Sequence, residues 1–213
     1  MKWILSWKGV VVWDLKDIMG RRSVRRYHTE AVSSDVLRRT LEAARWAPSA
    51  HNAQPWRFVV LRENHIKWRL AEAMAKAWDR DLQDDGVSSG VRESLVMASL
   101  ERFTSAPTVI IACLAMEDID CYPDDRRRGV ERTMAIQSVA AAIQNILLVA
   151  HMEDLGACWF CAPLFCPDAV REALGIPVEV EPQTLITMGR PAERPEPPQR
   201  KALEGIVYYE RWR

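Results

Sequence analysis

The sequence predicts an α+β fold in which one sheet is sandwiched by helices within a single domain. Three observations lead there. Four short apolar runs, at 56–61, 109–114, 157–161 and 183–188, have the length and composition of buried strands. Segments of helical period separate them, so the chain alternates between the two element types rather than running through hairpins. A long alanine-rich stretch from Met134 to Met152 supplies a central buried helix. At 213 residues the chain is long enough for one substantial core, and one domain is the natural count.

The elements follow in order. The start, MKWILSWKGVVVWDL, is apolar, but Lys8 interrupts it and no small-residue cleavage site follows, so export is not expected. Residues 1–12 are expected to be a non-native or disordered extension, and 13–213 the folded unit. Asp14 can cap a short helix ending at Gly20. Ser33 and Ser34 offer caps to a second helix, in which Val36, Leu37, Leu41 and Ala44 keep helical spacing until Pro48. Residues 64–83 and 88–104 read as two more helices, with Trp68, Met74 and Trp78 expected to pack in the core. The Met134–Met152 helix falls short of the ~20 predominantly apolar residues a bilayer requires, and Gly156 is expected to end it as a left-handed cap. Pro167 opens a brief helix up to Gly175. Beyond Pro191 the chain reads as an extended tail whose Ile206-Val207-Tyr208-Tyr209 is apolar enough to need a partner.

Composition narrows the function classes. Hydrophobic residues make up 48% and charged residues 27%, which argues against disorder. The 29 basic and 29 acidic side chains cancel, so no global field favours nucleic acid or an anionic membrane. Five cysteines, an odd number at low density, point to reduced thiols in a cytoplasm. Cys158-Trp159-Phe160-Cys161 has the spacing of a zinc or redox pair, but no second pair accompanies it. Small apolar fillers in a strand is the preferred reading, and no metal is expected. Neither a Gly-rich dinucleotide fingerprint nor a phosphate loop of the GxxxxGK[ST] type occurs.

The residues that promise chemistry lie near the start. Arg21, Arg22, Arg25 and Arg26 cluster around Ser23, and guanidinium forks beside a hydroxyl are suited to gripping phosphate. A solvated basic turn is the bland alternative. Farther on comes Pro48-Ser49-Ala50-His51-Asn52-Ala53-Gln54-Pro55-Trp56. These two motifs, in this order, resemble the opening of the FMN-dependent nitroreductase family, and the likeness extends from Asp14 to Trp212.

The resemblance implies a nitroreductase-like fold: a central mixed, mostly antiparallel sheet flanked by helices, in an intertwined homodimer with an exchanged C-terminal arm. It also implies FMN in each of two interface sites. Carried over by position, Arg21, Arg22, Ser23 and Arg25 would meet the phosphate and ribityl chain. Pro48, Ser49, His51 and Asn52 would contact the flavin from the neighbouring chain. Cys161, Ala162, Pro163 and Leu164 would present main chain to the ring, and Arg200, or its neighbour Lys201, would give a second phosphate contact.

A narrower likeness lies in Trp78-Asp79-Arg80-Asp81-Leu82, Tyr122-Pro123-Asp124 and Gly156-Ala157-Cys158-Trp159. These resemble the C-terminal flavin domain of the enzyme that finishes the deazaflavin coenzyme F-420, here without its ligase partner domain.

The activity implied is an FMN-dependent NAD(P)H oxidoreductase acting by a ping-pong mechanism on an electron-poor small molecule: a nitroaromatic, a quinone or the dehydro deazaflavin precursor. The cofactor performs such chemistry, so no protein nucleophile is needed. His28, His51, His65 and His151 suggest no triad and read as surface or packing residues. Positive charge close to the ring would also stabilise an anionic reduced flavin. The alternatives are a flavin carrier or sensor without turnover and a nucleic-acid reader, the latter disfavoured by zero net charge.

Overall fold

Four strands hydrogen-bond into one sheet: β1 (Trp56–Leu61), β2 (Thr108–Ala115), β3 (Gly156–Phe160) and β4 (Val180–Gly189), in spatial order β1-β2-β4-β3. The structure, a computed structural model, describes residues 15–212. The expected N-terminal extension and the Asp14 cap lie outside the described residues.

Every neighbouring pair of strands is antiparallel, and among the described residues parallel pairing is confined to an isolated bridge between Ser23 and Ala157. Strand β2 is buried along its whole length, which is why its sequence is a continuous apolar run. Its register with β4 slips between Ala112 and Cys113, where Cys113 comes to face Pro182. Proline has no N–H to give the ladder, so the irregularity sits where pairing could not continue.

Among the described residues, six helices cover the sheet: α1 (Leu15–Gly20), α2 (Ser34–Arg45), α3 (Asn64–Asp84), α4 (Ser89–Thr104), α5 (Asp125–Met152) and α6 (Pro167–Leu174). Successive side chains of β2 alternate between the two faces. Ile110, Ala112 and Leu114 meet α2 and α5 through Leu37, Ala44, Val139, Ile143 and Ile146. Val109, Ile111 and Cys113 meet the other layer through Leu70, Met74, Phe103 and Val170.

Local signals set most boundaries. The Ser33 side chain accepts the Val36 amide to begin α2, and Gly175, at φ 65°, closes α6 in the left-handed conformation. Three expectations are corrected. Helix α5 begins at Asp125, well before Met134, because Asp124 caps the Arg127 amide and Arg127 and Arg128 pair with Asp124 and Asp125. Gly156 is a strand residue, and the left-handed turn after α5 falls on Asp154, at φ 58°. Of the three residues expected in the core of α3 only Met74 packs there, at 4% exposure, while Trp68 and Trp78 are 51% and 38% exposed.

By length and composition α5 could cross a membrane. Here it lies on the sheet, with Ala135, Val139, Ala142, Ile143, Ile146, Leu147 and Ala150 buried. Beyond β4 the chain forms an extended arm with one 3₁₀ turn at Leu203–Gly205, and it leaves Leu203, Ile206, Tyr209 and Trp212 exposed.

Candidate functional site

The arginine cluster emerges from α1 and runs along the outer edge of β3. Ser23 pairs with Ala157, and the Val24 amide donates to the Ala157 carbonyl at 3.1 Å. Farther on, the His28 amide donates to the Arg190 carbonyl and the Ala192 amide to the Arg26 carbonyl, both at 2.9 Å. The turn is thus stitched to β3 and to the chain leaving β4.

Two glycines make this approach possible. Gly156 and Gly189 stand opposite each other in the β3–β4 register. A Cβ on Gly156 would lie 2.6 Å from Val24 Cβ, and one on Gly189 would lie 2.7 Å from Pro107 Cδ and 3.2 Å from Tyr27 Cβ. The Tyr27 hydroxyl bonds the Val24 carbonyl and the Thr187 hydroxyl. Burial pushes its ionisation far above the ordinary phenol range, so it stays neutral.

The four arginines divide into two groups. Arg26 donates through Nε to Glu193 Oε2 at 2.8 Å, while Glu193 Oε1 accepts the Arg25 amide at 2.7 Å and the Arg26 amide at 3.3 Å. The Arg25 amide bond is the main cause holding the Glu193 carboxyl below its usual range. Arg22 turns its guanidinium onto the carbonyls of Met19 and Arg21, at 2.6 and 2.8 Å. Arg21 and Arg25 have no carboxylate partner among the described residues, and the Arg25 side chain makes only a 3.4 Å bond to the Ser23 carbonyl. Two uncompensated guanidinium groups therefore flank Ser23.

Cys158 is 2% exposed beneath this turn. Burial raises its thiol pKa, against the opposing pull of Arg25, Ser23, Arg102 and Arg21. Cys161, by contrast, is exposed, and all five cysteines are free thiols. The expectation of small apolar fillers in a buried strand therefore holds for Cys158 and is corrected for Cys161, which lies beyond the end of β3 in the open.

Cys161 precedes a 3₁₀ turn at Ala162–Phe165. The Leu164 amide donates to the Cys161 carbonyl at 3.0 Å, and Pro163 has no N–H. The Trp159 indole N–H is buried without an acceptor among the described residues. Leu164 and Phe165 project into solvent, at 50% and 82% exposure.

The second motif lies elsewhere in the same chain. A 3₁₀ turn at Ala50–Asn52 rests on α5, with the Ala50 amide donating to Ser138 Oγ at 3.2 Å. Pro48, Ser49 and Ala50 line a groove of about 300 Å³ against Met134, Gln137, Ser138 and Ala141. His51, Asn52 and Gln54 have φ of 54°, 54° and 48°, left-handed values that non-glycine residues adopt only under constraint.

His51 Nε2 lies 3.6 Å from Glu131 Oε2, a buried oxygen with no hydrogen-bond partner among the described residues. Asp120 completes the set of potential metal ligands found among the described residues, its atoms within 4.8 Å of the other two.

The two motifs do not meet within one chain. Gly20, just before the arginine turn, abuts His151, whereas Ala50 bonds Ser138. Those α5 positions are roughly 20 Å apart along the helix at 1.5 Å per residue. Arg200 and Lys201 are exposed on the arm, without a hydrogen bond or ion pair among the described residues. Sequence reasoning missed Glu193 and the packing role of Gly156. Their only signal is three-dimensional, since each meets residues more than 100 positions away.

The Nitroreductase family profile matches residues 18–190. An NADH dehydrogenase of Thermus thermophilus is 31% identical, over 89% of this chain and 92% of its own. A protein of Archaeoglobus fulgidus assigned as an NADH dehydrogenase/NAD(P)H nitroreductase is 28% identical, over 84% of this chain and 86% of its own. A solved structure assigned as a nitroreductase of Desulfovibrio desulfuricans, in complex with FMN, is 28% identical. It superposes with a TM-score of 0.69, over 93% of this chain and 97% of its own.

Proposed function

This chain belongs to the nitroreductase family, and from that premise we propose that it is an FMN-dependent NAD(P)H oxidoreductase whose two substrates use one site in turn. The observation that carries the cofactor is the pair of uncompensated guanidinium groups, Arg21 and Arg25, beside the Ser23 hydroxyl. A phosphate monoester offers the charge and acceptor oxygens that this donor set lacks. Arg26 is neutralised by Glu193, and Arg22 closes the end of α1 through two carbonyls, so both shape the turn.

The chemistry FMN supplies when bound is two-electron transfer from a nicotinamide donor to an acceptor. The protein's part is binding and orientation. The amides of Cys161 and Ala162 offer hydrogen bonds to the ring edge, and the protonated Cys158 thiol stays out of the reaction. Exposed Leu164 and Phe165 give a flat apolar wall suited to a planar acceptor such as a nitroaromatic, a quinone or a dehydro deazaflavin precursor.

The working unit is a homodimer. Pro48, Ser49, His51 and Asn52 reach the flavin of the other copy, which accounts for their distance from the arginine turn of their own chain. Half-buried Met134, Ile136, Ala140, Ala141, Leu148 and Val149 on α5 and the apolar arm are the surfaces a second copy would cover. The arm would bring Arg200 or Lys201 to the phosphate. Five free thiols suit a reducing cytoplasm.

The test is anaerobic addition of NADH or NADPH to the FMN-loaded protein, followed by a panel of the three acceptor classes. Bleaching by a nicotinamide and recovery of colour with one acceptor are expected, with parallel double-reciprocal plots. Colour that persists with both nicotinamides would favour a flavin carrier without turnover.

A further inference from the structure

Arg102, in the last turn of α4, stands far from the arginine cluster in sequence but meets the same strand. Its guanidinium carbon lies 5.9 Å from the centroid of the Phe160 ring. Phe160 is well anchored: Phe103 packs edge-on against it with centroids 5.3 Å apart, and the Thr184 hydroxyl donates to its carbonyl at 2.6 Å. Arg102 itself has no carboxylate partner among the described residues. Its charge is uncompensated, like those of Arg21 and Arg25.

The position along β3 matters. The arginine turn is fastened at Ala157, near the start of the strand. Phe160 ends the strand, one residue before the segment Cys161–Leu164 assigned above to the flavin ring. Three steps of strand separate Ala157 from Phe160, about 10 Å. Cys158 lies between, and Arg102 acts on its thiol from one side while Arg25, Ser23 and Arg21 act on it from the arginine turn.

We propose that Arg102 supplies positive charge to the ring end of bound FMN and favours its reduced, anionic form over the oxidised form. This inference rests on the FMN reading above. The physical distinction is that the phosphate keeps its charge when flavin is reduced, whereas the ring gains one. A guanidinium at the phosphate strengthens binding of both redox states alike, while one at the ring discriminates between them and moves the potential.

Two variants test it. Arg102→Met keeps an apolar stem over Phe160 without the charge, and Arg102→Lys keeps the charge. The two-electron midpoint potential of the FMN-loaded protein is measured by equilibration with a redox dye. Dissociation constants for oxidised FMN and for riboflavin, which has no phosphate, are measured by flavin fluorescence. Arg102→Met is expected to lower the potential by ~30 mV or more, a tenfold loss of preference for reduced flavin. The FMN-to-riboflavin affinity ratio should stay unchanged, and Arg102→Lys should retain most of the wild-type potential.

An unchanged potential in Arg102→Met overturns the proposal, as does a fall equally large in Arg102→Lys. A selective loss of FMN over riboflavin also overturns it, by placing Arg102 at the phosphate. Wild-type protein that takes up no FMN would sink the cofactor reading and this inference together, whereas a flat potential with FMN bound sinks only the inference.

Discussion

Adding one methyl group at Gly156 tests whether the arginine turn is built on bare backbone. In Gly156→Ala the new Cβ would lie 2.6, 2.7 and 2.9 Å from Val24 Cβ, Cγ1 and Cγ2, where ordinary contact begins at 3.4 Å. Val24 is 6% exposed and must withdraw by about 0.8 Å to restore contact distance. Its amide bond to Ala157, now 3.1 Å, would stretch beyond hydrogen-bonding range. Losing that bond costs ~1 kcal/mol, and the overpacking adds ~1–3 kcal/mol. Ser23 and Arg25 flank Val24, so the same displacement carries both away from a phosphate. Urea unfolding of the flavin-free protein should show a loss of ~2–4 kcal/mol. At a temperature where the variant is folded, FMN titration should show at least a tenfold weaker dissociation constant, about 1.4 kcal/mol. A folded variant that binds FMN within about twofold of wild type, inside ~0.5 kcal/mol, would refute the reasoning.

Other perturbations probe the remaining parts. Arg25→Ala removes a charge-assisted bond of ~1.5–3 kcal/mol and should weaken FMN retention more than tenfold on ultrafiltration; unchanged occupancy would exclude Arg25 from the site. Glu193 has its folded pKa depressed, chiefly by the Arg25 amide, so its stabilising contribution is present above the unfolded carboxylate value of ~4.3 and is lost as pH falls below it. Urea unfolding across pH should therefore show Glu193→Gln less stable than wild type at neutral pH, the gap closing in acid; a pH-independent gap would contradict this. His51→Gly places glycine at φ 54°, where a side chain costs ~1 kcal/mol. Thermal stability should hold or rise while FMN affinity falls, and a clear stability loss would mean that the Glu131 contact outweighs the strain.

How much of this was legible in the sequence depends on the range of the forces involved. Strand β2 declares itself because burial on both faces demands an unbroken apolar run. Ser33 and Gly175 declare α2 and α6 because capping is local. The first turns of α5, DRRRGVERT, carry no hydrophobic signal, since Asp124 and neighbouring ion pairs hold them. Gly156 follows a helix and so looks like its cap, but it is small because of Val24, a residue brought to it by the fold. Trp68 and Trp78 show what periodicity omits: it says which residues share a face, not whether a neighbour covers that face. Within the candidate site, Arg21, Ser23 and Arg25 were visible as a cluster. The pairing that sets Arg26 apart, and the approach of Arg102 to Phe160, depend on tertiary contacts with no local trace.

Glu193 carries one more consequence, for the order of events at the ribosome. The amides it holds belong to Arg25 and Arg26, 168 and 167 positions earlier. Until that carboxylate leaves the exit tunnel, the Arg25 and Arg26 amides lack their acceptor, although Val24 can already pair with Ala157. Full closure of this loop around a phosphate-bearing group must therefore wait until the chain has been made past residue 193.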